Sequence, residues 1–172
     1  MKRHLHYETA FEDYLCSRGI PYVPVAETRK VIFSGGKVKS FDFLVYPADN
    51  CHWIVDVKGR KFPYRAVNGS SQGRYWENWV TREDLDGLAD WQAVFGEDFE
   101  ARFVFAYLLD GPADRWPTGR PHTWQGGLYA FLTVRLSDYV HHCRQRSTSW
   151  GTVAVPRQVF REMAQPVGGF CR

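Results

Sequence analysis

Ser40-Phe41-Asp42-Phe43-Leu44-Val45-Tyr46, Pro47-Ala48-Asp49-Asn50-Cys51 and His52-Trp53-Ile54-Val55-Asp56-Val57-Lys58, read as one continuous stretch, decide the fold. The outer runs are rich in aromatic and β-branched residues, and the five residues between them carry turn chemistry. A hairpin with a loop of that length is ordinary. It pairs Tyr46 with His52, and counting back sets Asp42 opposite Asp56. Alternation puts Asp42, Leu44 and Tyr46 on one side of the first strand, and Ile54, Asp56 and Lys58 on one side of the second.

Like charges facing each other across a strand pair, with Cβ atoms roughly 5 Å apart, destabilise a sheet. A cation between them reverses the sign of that effect. Mg²⁺ is the natural candidate, because it takes one or two carboxylates and fills its remaining positions with water, phosphate or a carbonyl. Lys58 points at the same spot, where it can orient or deprotonate a water or neutralise charge developing on a phosphate. The plainer alternative makes Asp42 a strand end and Asp56 with Lys58 a solvated edge pair. Against it, the carboxylates interrupt near-continuous apolar runs of the kind found in strands buried on both faces. A buried charge must be paired or coordinated.

Residues His4 to Arg18 read as a helix stopped by Gly19-Ile20-Pro21. Tyr7, Phe11, Tyr14 and Leu15 form its apolar arc. Glu8 sits at the border of that arc, Glu12 lies farther round and Asp13 points away, so one carboxylate leans toward the core and the others toward solvent.

Glu8 on a first helix, then Phe41-Asp42-Phe43, then Val55-Asp56-Val57-Lys58, resemble the PD-(D/E)XK nuclease superfamily, and within it the Holliday junction resolvase and restriction-endonuclease-like branches. The motifs run from Glu8 to about Lys61, and the order of elements extends the likeness to about Leu109. Phe41 stands in place of the proline that names the superfamily, a position without a part in the chemistry. The resemblance implies that Glu8, Asp42 and Asp56 hold a Mg²⁺ or Mn²⁺ ion directly or through water, with the Val57 carbonyl as a further ligand and Lys58 as the catalytic lysine. It implies Gln92 as an auxiliary residue near the metal, although a glutamine in that setting more often satisfies a neighbouring backbone group. Members of these branches usually act as dimers, so a homodimer is implied as well.

The net charge of +3 is small, but its distribution is uneven. Residues 57 to 82 carry six basic side chains (Lys58, Arg60, Lys61, Arg65, Arg74 and Arg82) against Glu77, whereas residues 83 to 100 carry seven acids and no Lys or Arg. Arg60, Lys61, Arg65 and Arg74 follow the acidic site immediately and suit a phosphate backbone, with the adjacent acidic run helping to orient it. The alternative is a solvated loop that aids solubility. Trp76 and Trp79 stand beside it as candidate stacking residues. No apolar stretch nears the ~18 residues of a membrane span, and Met1-Lys2-Arg3-His4 leads into an amphipathic helix rather than a signal core. Cys16, Cys51, Cys143 and Cys171 lack a C-x-x-C pair and read as free thiols of a cytoplasmic protein. Cys51-His52 and His141-His142-Cys143 lack zinc-finger spacing.

Elsewhere the order of elements is α/β. Arg29 to Ser34 reads as a strand turning at Gly35-Gly36. Thr81-Arg82-Glu83-Asp84 is a capping-box start for a helix to about Phe95, stopped by Gly96, with Leu85, Leu88, Ala89 and Gln92 on one face. Phe103 to Leu109 reads as a buried strand, Gly111 to Gly127 as a long loop and Leu128 to Leu136 as a strand. Ser137 caps a helix through about Arg146, Thr152 to Val155 forms a short strand, and Pro156 opens a closing helix to Ala164.

The expectation is one domain spanning residues 1–172: a mixed central β-sheet flanked by helices, with a restriction-endonuclease-like core. Its expected activity is Mg²⁺- or Mn²⁺-dependent hydrolysis of nucleic-acid phosphodiesters, most readily of DNA. Two other readings stand beside it. One is a catalytically inactive nuclease-fold module that binds nucleic acid or a protein partner. The other, a small-phosphoester hydrolase, lacks a phosphate-cradling glycine loop.

Overall fold

The computed structural model describes residues 5–25, 32–33, 36–37, 39–48, 51–65, 72–73, 76–111 and 120–170. Along the chain run α1 (Leu5–Ser17), β1 (Tyr22–Pro24), β2 (Ile32–Phe33), β3 (Gly36–Lys37), β4 (Phe43–Val45), β5 (His52–Phe62), β6 (Tyr64–Arg65), β7 (Gln72–Gly73), β8 (Val80–Thr81) and α2 (Arg82–Phe95). There follow β9 (Phe99–Leu109), β10 (His122–Trp124), β11 (Gly127–Arg135), α3 (Leu136–His142), β12 (Arg144–Ser147), β13 (Thr152–Ala154), α4 (Arg157–Met163) and β14 (Gln165–Pro166).

A seven-stranded mixed sheet is the centre, in the order β1-β4-β5-β9-β11-β10, with β14 pairing β11. β5 and β9 run parallel from His52↔Phe99 to Phe62↔Leu109, while β4–β5 and β9–β11 are antiparallel. β9 reads Phe-Glu-Ala-Arg-Phe-Val-Phe-Ala-Tyr-Leu-Leu because both its faces are buried. Phe103, Phe105 and Tyr107 pack with Leu88, Trp91, Tyr139 and Phe160 under α2, α3 and α4. Val104 and Ala106 pack on the other face with Tyr7, Phe11, Tyr14 and Leu15 of α1. Among the described residues, one α-helix thus covers one face of the sheet and three cover the other.

The predicted hairpin register is the observed one: Phe43↔Val55, Leu44↔Ile54 and Val45↔Trp53. The helix stops are as read. Gly19 has φ +63°, and the Ile20 N–H reaches back to the Leu15 carbonyl at 3.0 Å. Thr81 and Asp84 form both halves of the capping box, and Gly96 closes α2. Cys16, Cys51 and Cys143 are free thiols, and no helix among the described residues is long and apolar enough to cross a membrane.

Several expectations need correction. The buried face of α2 is Asp84, Gly87, Leu88 and Trp91, with Ala89 exposed; the large Trp91 ring sets the rotation and donates its Nε1–H to the Lys39 carbonyl at 2.8 Å. α3 ends at His142, its N-cap is Arg135 without a side-chain cap bond, and Arg144–Ser147 is a strand against β13. Part of the expected loop 111–127 is β10, joined to β11 by a tight turn with positive φ at Gln125 and Gly126. In the 29–34 segment, Ile32–Phe33 pairs with Gly36–Lys37, and the rest lies outside the described residues. Asp13 is exposed, as expected, and lies 2.7 Å from His122 Nε2. Glu12, half-buried, accepts the Tyr22 hydroxyl at 3.0 Å.

Candidate active site

Continued past Phe43↔Val55, the β4–β5 register would set Asp42 across from Asp56, but there the ladder slips. The Asp42 N–H donates to the Val55 carbonyl at 2.9 Å, one position off the pairing of Phe43 with Val55. Strand alternation breaks at the same place: Phe41 packs edge-on against Trp91 on the α2 face, whereas Phe43 packs against Phe11 on the α1 face. Beyond Val55 the edge of β5 therefore carries no strand from β4. The Asp42 carboxylate takes the place of one, accepting the Val57 N–H at 2.6 Å. Within a strand residue the N–H and C=O point to the same edge, so the Val57 carbonyl faces the same opening.

Asp56 and Lys58 lie on the α2 face of β5. The Lys58 ammonium is 2.7 Å from Asp56 Oδ2 and 3.0 Å from Asp84 Oδ1. Asp84 belongs to the first turn of α2; its Oδ2 accepts the Thr81 N–H at 2.8 Å, and its Oδ1 also pairs with Lys39. Burial works against the Lys58 charge, but Asp56 and Asp84 outweigh it and raise the pKa. Lys58 is therefore a held ammonium, suited to stabilising negative charge rather than to removing a proton. Burial likewise disfavours the Asp84 anion, yet Lys58, Lys39 and the Thr81 N–H bring its pKa below the usual carboxylate range.

The facing carboxyls behave in the opposite way. Burial, then the charges of Asp56 and Glu8, push Asp42 well above its ordinary value against the Val57 N–H and Lys58. Burial, with Asp84 adding to it, also raises Asp56 despite Lys58. Glu8, half-buried on α1, is thus near enough for its charge to bear on Asp42. The structure brings Glu8, Asp42, Asp56 and Lys58 into one neighbourhood.

The shifts have a measurable consequence. Between the unfolded carboxyl value of ~3.9 and the raised folded values, the native state binds more protons than the unfolded chain, so stability falls as pH rises through that window. Asp84, with a lowered value, has the opposite sign, but its contribution is lost only as pH drops below ~3.9. In EDTA the melting temperature is expected to be higher at about pH 5 than at about pH 7.5, and Asp42→Asn to flatten that slope. A wild-type Tm that climbs across this range would contradict the assignment.

The flanking candidates divide. Arg60 is buried, lying 4.0 Å from the Trp79 ring centroid and donating to the carbonyls of Gly59 and Trp79. Its guanidinium is committed internally, where the sequence reading had it on a phosphate. Gln92 also serves the backbone, bonding the carbonyls of Gly96 and Phe99 and the Ala101 N–H. Lys61 is exposed. Arg65 lies in β6 with its side chain outside the description, and Arg74 lies outside the described residues. The sequence did not single out Asp84 or Lys39 as site residues; the one available signal was a capping-box acid preceded by an apolar strand.

Among the described residues no three His, Cys, Asp or Glu side chains form a coordinating cluster, since Asp56 is turned to Lys58 and Asp42 to the Val57 N–H. The donor set nonetheless fits a hard divalent cation. It offers only oxygens, and its two carboxyls are held where the anionic form is under-compensated.

No family model and no curated protein matches this sequence. Among solved structures, the Holliday junction resolvase of Archaeoglobus fulgidus, an archaeal hyperthermophile, is similar in fold, with a TM-score of 0.52 at 12% identity over 92% of this chain and 93% of that one. The chain shares the fold of that structure, a mixed sheet flanked by helices.

Proposed function

We propose that this chain is a divalent-metal-dependent nuclease that hydrolyses phosphodiester bonds of DNA. The observation that carries the reading is the gathering of Asp42, whose carboxylate accepts the Val57 N–H at 2.6 Å, with Asp56 and with Lys58, whose ammonium is 2.7 Å from Asp56 and 3.0 Å from Asp84; burial raises the pKa of both Asp42 and Asp56. In this reading Asp42, Asp56 and the Val57 carbonyl would hold Mg²⁺ or Mn²⁺. The ion, when bound, supplies Lewis acidity toward a phosphoryl oxygen and lowers the pKa of water. Glu8 accepts a hydrogen bond from the attacking water and orients it. Lys58 donates hydrogen bonds to phosphate oxygens as charge builds in the transition state, while Asp84 keeps it protonated and aimed. The reading implies a cytoplasmic protein acting on DNA, with a homodimer as the assembly its resolvase resemblance implies.

The second reading, a non-catalytic nucleic-acid-binding or protein-binding module, draws on the same network. Lys58 closes ion pairs with Asp56 and Asp84 that balance charge without a metal. Incubation with linear, branched and single-stranded DNA and with RNA, in Mg²⁺, Mn²⁺ or EDTA, separates the two. Cleavage that needs the metal is the expected result. Folded protein that binds DNA but cleaves nothing in either metal would transfer the assignment to the binding module.

A further inference from the structure

Asp56, Lys58 and Arg60 alternate onto one face of β5, and Arg60 ends against Trp79. Trp79 is in turn a wall of a cleft of about 340 Å³ between the segment 76–79 and the β12–β13 hairpin. Arg144, Arg146 and Arg157 line this cleft, and Glu77 is the acid among its described lining residues. The floor is fixed by Asn78, which donates to the Val155 carbonyl at 3.1 Å and accepts its N–H at 2.9 Å. Arg60 and Arg146 lie 4.0 and 5.4 Å from the Trp79 ring centroid, so the indole contacts two cations.

Three guanidinium groups against one carboxylate leave the cleft cationic. The Arg146–Glu77 pair is long, at 3.5 Å, with the Arg146 side chain 45% exposed. Guanidinium groups bind phosphate in bidentate fashion. Arg144 and Arg146 are exposed on the hairpin, Trp76 and Trp79 are the aromatic residues lining the cleft, and Trp150 at the hairpin turn is 80% exposed. Such an open, charged and aromatic site suits a polymer backbone with bases rather than an enclosed small molecule. Arg60 is four positions along β5 from Asp56, roughly 13 Å at ~3.3 Å per residue. Arg60 thus stands about four base rises along β5 from Asp56, at ~3.4 Å per rise, and its contact with Trp79 links that strand to the cleft wall.

We infer that the Trp79–Arg144–Arg146–Arg157 cleft is a second subsite that grips the phosphate backbone of the substrate nucleic acid away from the scissile bond. The inference rests on the nuclease reading and adds where the strand runs. Arg60 contributes by fixing Trp79.

The test measures affinity of the full chain for a labelled linear duplex and a labelled four-way DNA junction across a salt series, with Ca²⁺ in place of Mg²⁺. Wild type is compared with Arg144→Ala/Arg146→Ala and with Arg18→Ala/Arg120→Ala, which removes the same charge elsewhere. Thermal melting confirms that each is folded, and Arg144→Gln/Arg146→Gln replaces the first variant if it is not. The expected result is an affinity loss of about tenfold or more for the cleft variant, with a salt slope shallower by about 2, while the control keeps the wild-type slope. Equal loss in both variants, or wild-type affinity and slope in the cleft variant, overturns the subsite and leaves the nuclease reading standing. Folded wild type that binds neither DNA overturns the nuclease reading and the subsite together.

Discussion

Lys58→Ala is expected to lower the single-turnover rate of DNA cleavage by about 10²- to 10³-fold, the usual effect of removing one preorganised donor to developing negative charge. DNA affinity should change far less. The size follows from how the ammonium is held. Asp56 at 2.7 Å and Asp84 at 3.0 Å fix its position and keep it charged, so little reorganisation is left for the reaction step. Breaking a buried ion pair costs ~3–5 kcal/mol when the remaining charge is stranded. The loss here should be smaller, because Asp84 keeps Lys39 and the Thr81 N–H, and Asp56 can take up a proton. A melting curve beside the rate separates the two effects. A variant folded like wild type and cleaving within tenfold of it would remove Lys58 from the chemistry.

Gly59→Ala is expected to damage fold and activity together. A Cβ there would sit 2.6 Å from Tyr7 Cε2 and closer still to two other carbons of that ring. The ring belongs to α1 and is buried against β5, so relief requires the helix to lift from the sheet. Overpacking of this kind costs about 1–3 kcal/mol, or roughly 2–12 °C of melting temperature at this chain length. Glu8 is the next residue on the helix, so displacement carries it away from Asp42 and cleavage falls as well. Non-additivity is the sharper readout. On a Tyr7→Ala background, which has already lost the ring, adding Gly59→Ala should cost little. Additive losses would show that the ring contact is not the cause.

What could be read from the sequence was set by how local each feature is. The Asp42–Asp56 facing pair followed from a loop length and strand alternation, both short-range, and the Thr81–Asp84 capping box followed from a four-residue pattern. Asp84's second role was not legible, because its partner Lys39 is 45 residues away in the chain. Arg60 reads as a surface cation in sequence; only the fold brings Trp79 over it and turns it inward. β12 was read as helix because Arg144-Gln145-Arg146-Ser147 is exposed on most of its length and shows no apolar alternation. β10 was absorbed into a loop because its turn uses Gln125 at positive φ, where an Asn or Asp before glycine would have announced a hairpin. Asp42 departs from both the extrapolated register and the alternation, since the ladder slips where its carboxylate takes the place of a strand.

The central claim is that Asp42 and Asp56 face each other in order to hold a divalent ion. The most direct test is the anomalous scattering of Mn²⁺ in crystals of the wild-type protein, with Asp56→Asn crystals treated identically. The account predicts a peak between the two carboxyls, beside the Val57 carbonyl, that disappears in Asp56→Asn. Clear density for both side chains with no peak between them, at Mn²⁺ concentrations that support cleavage, would contradict it.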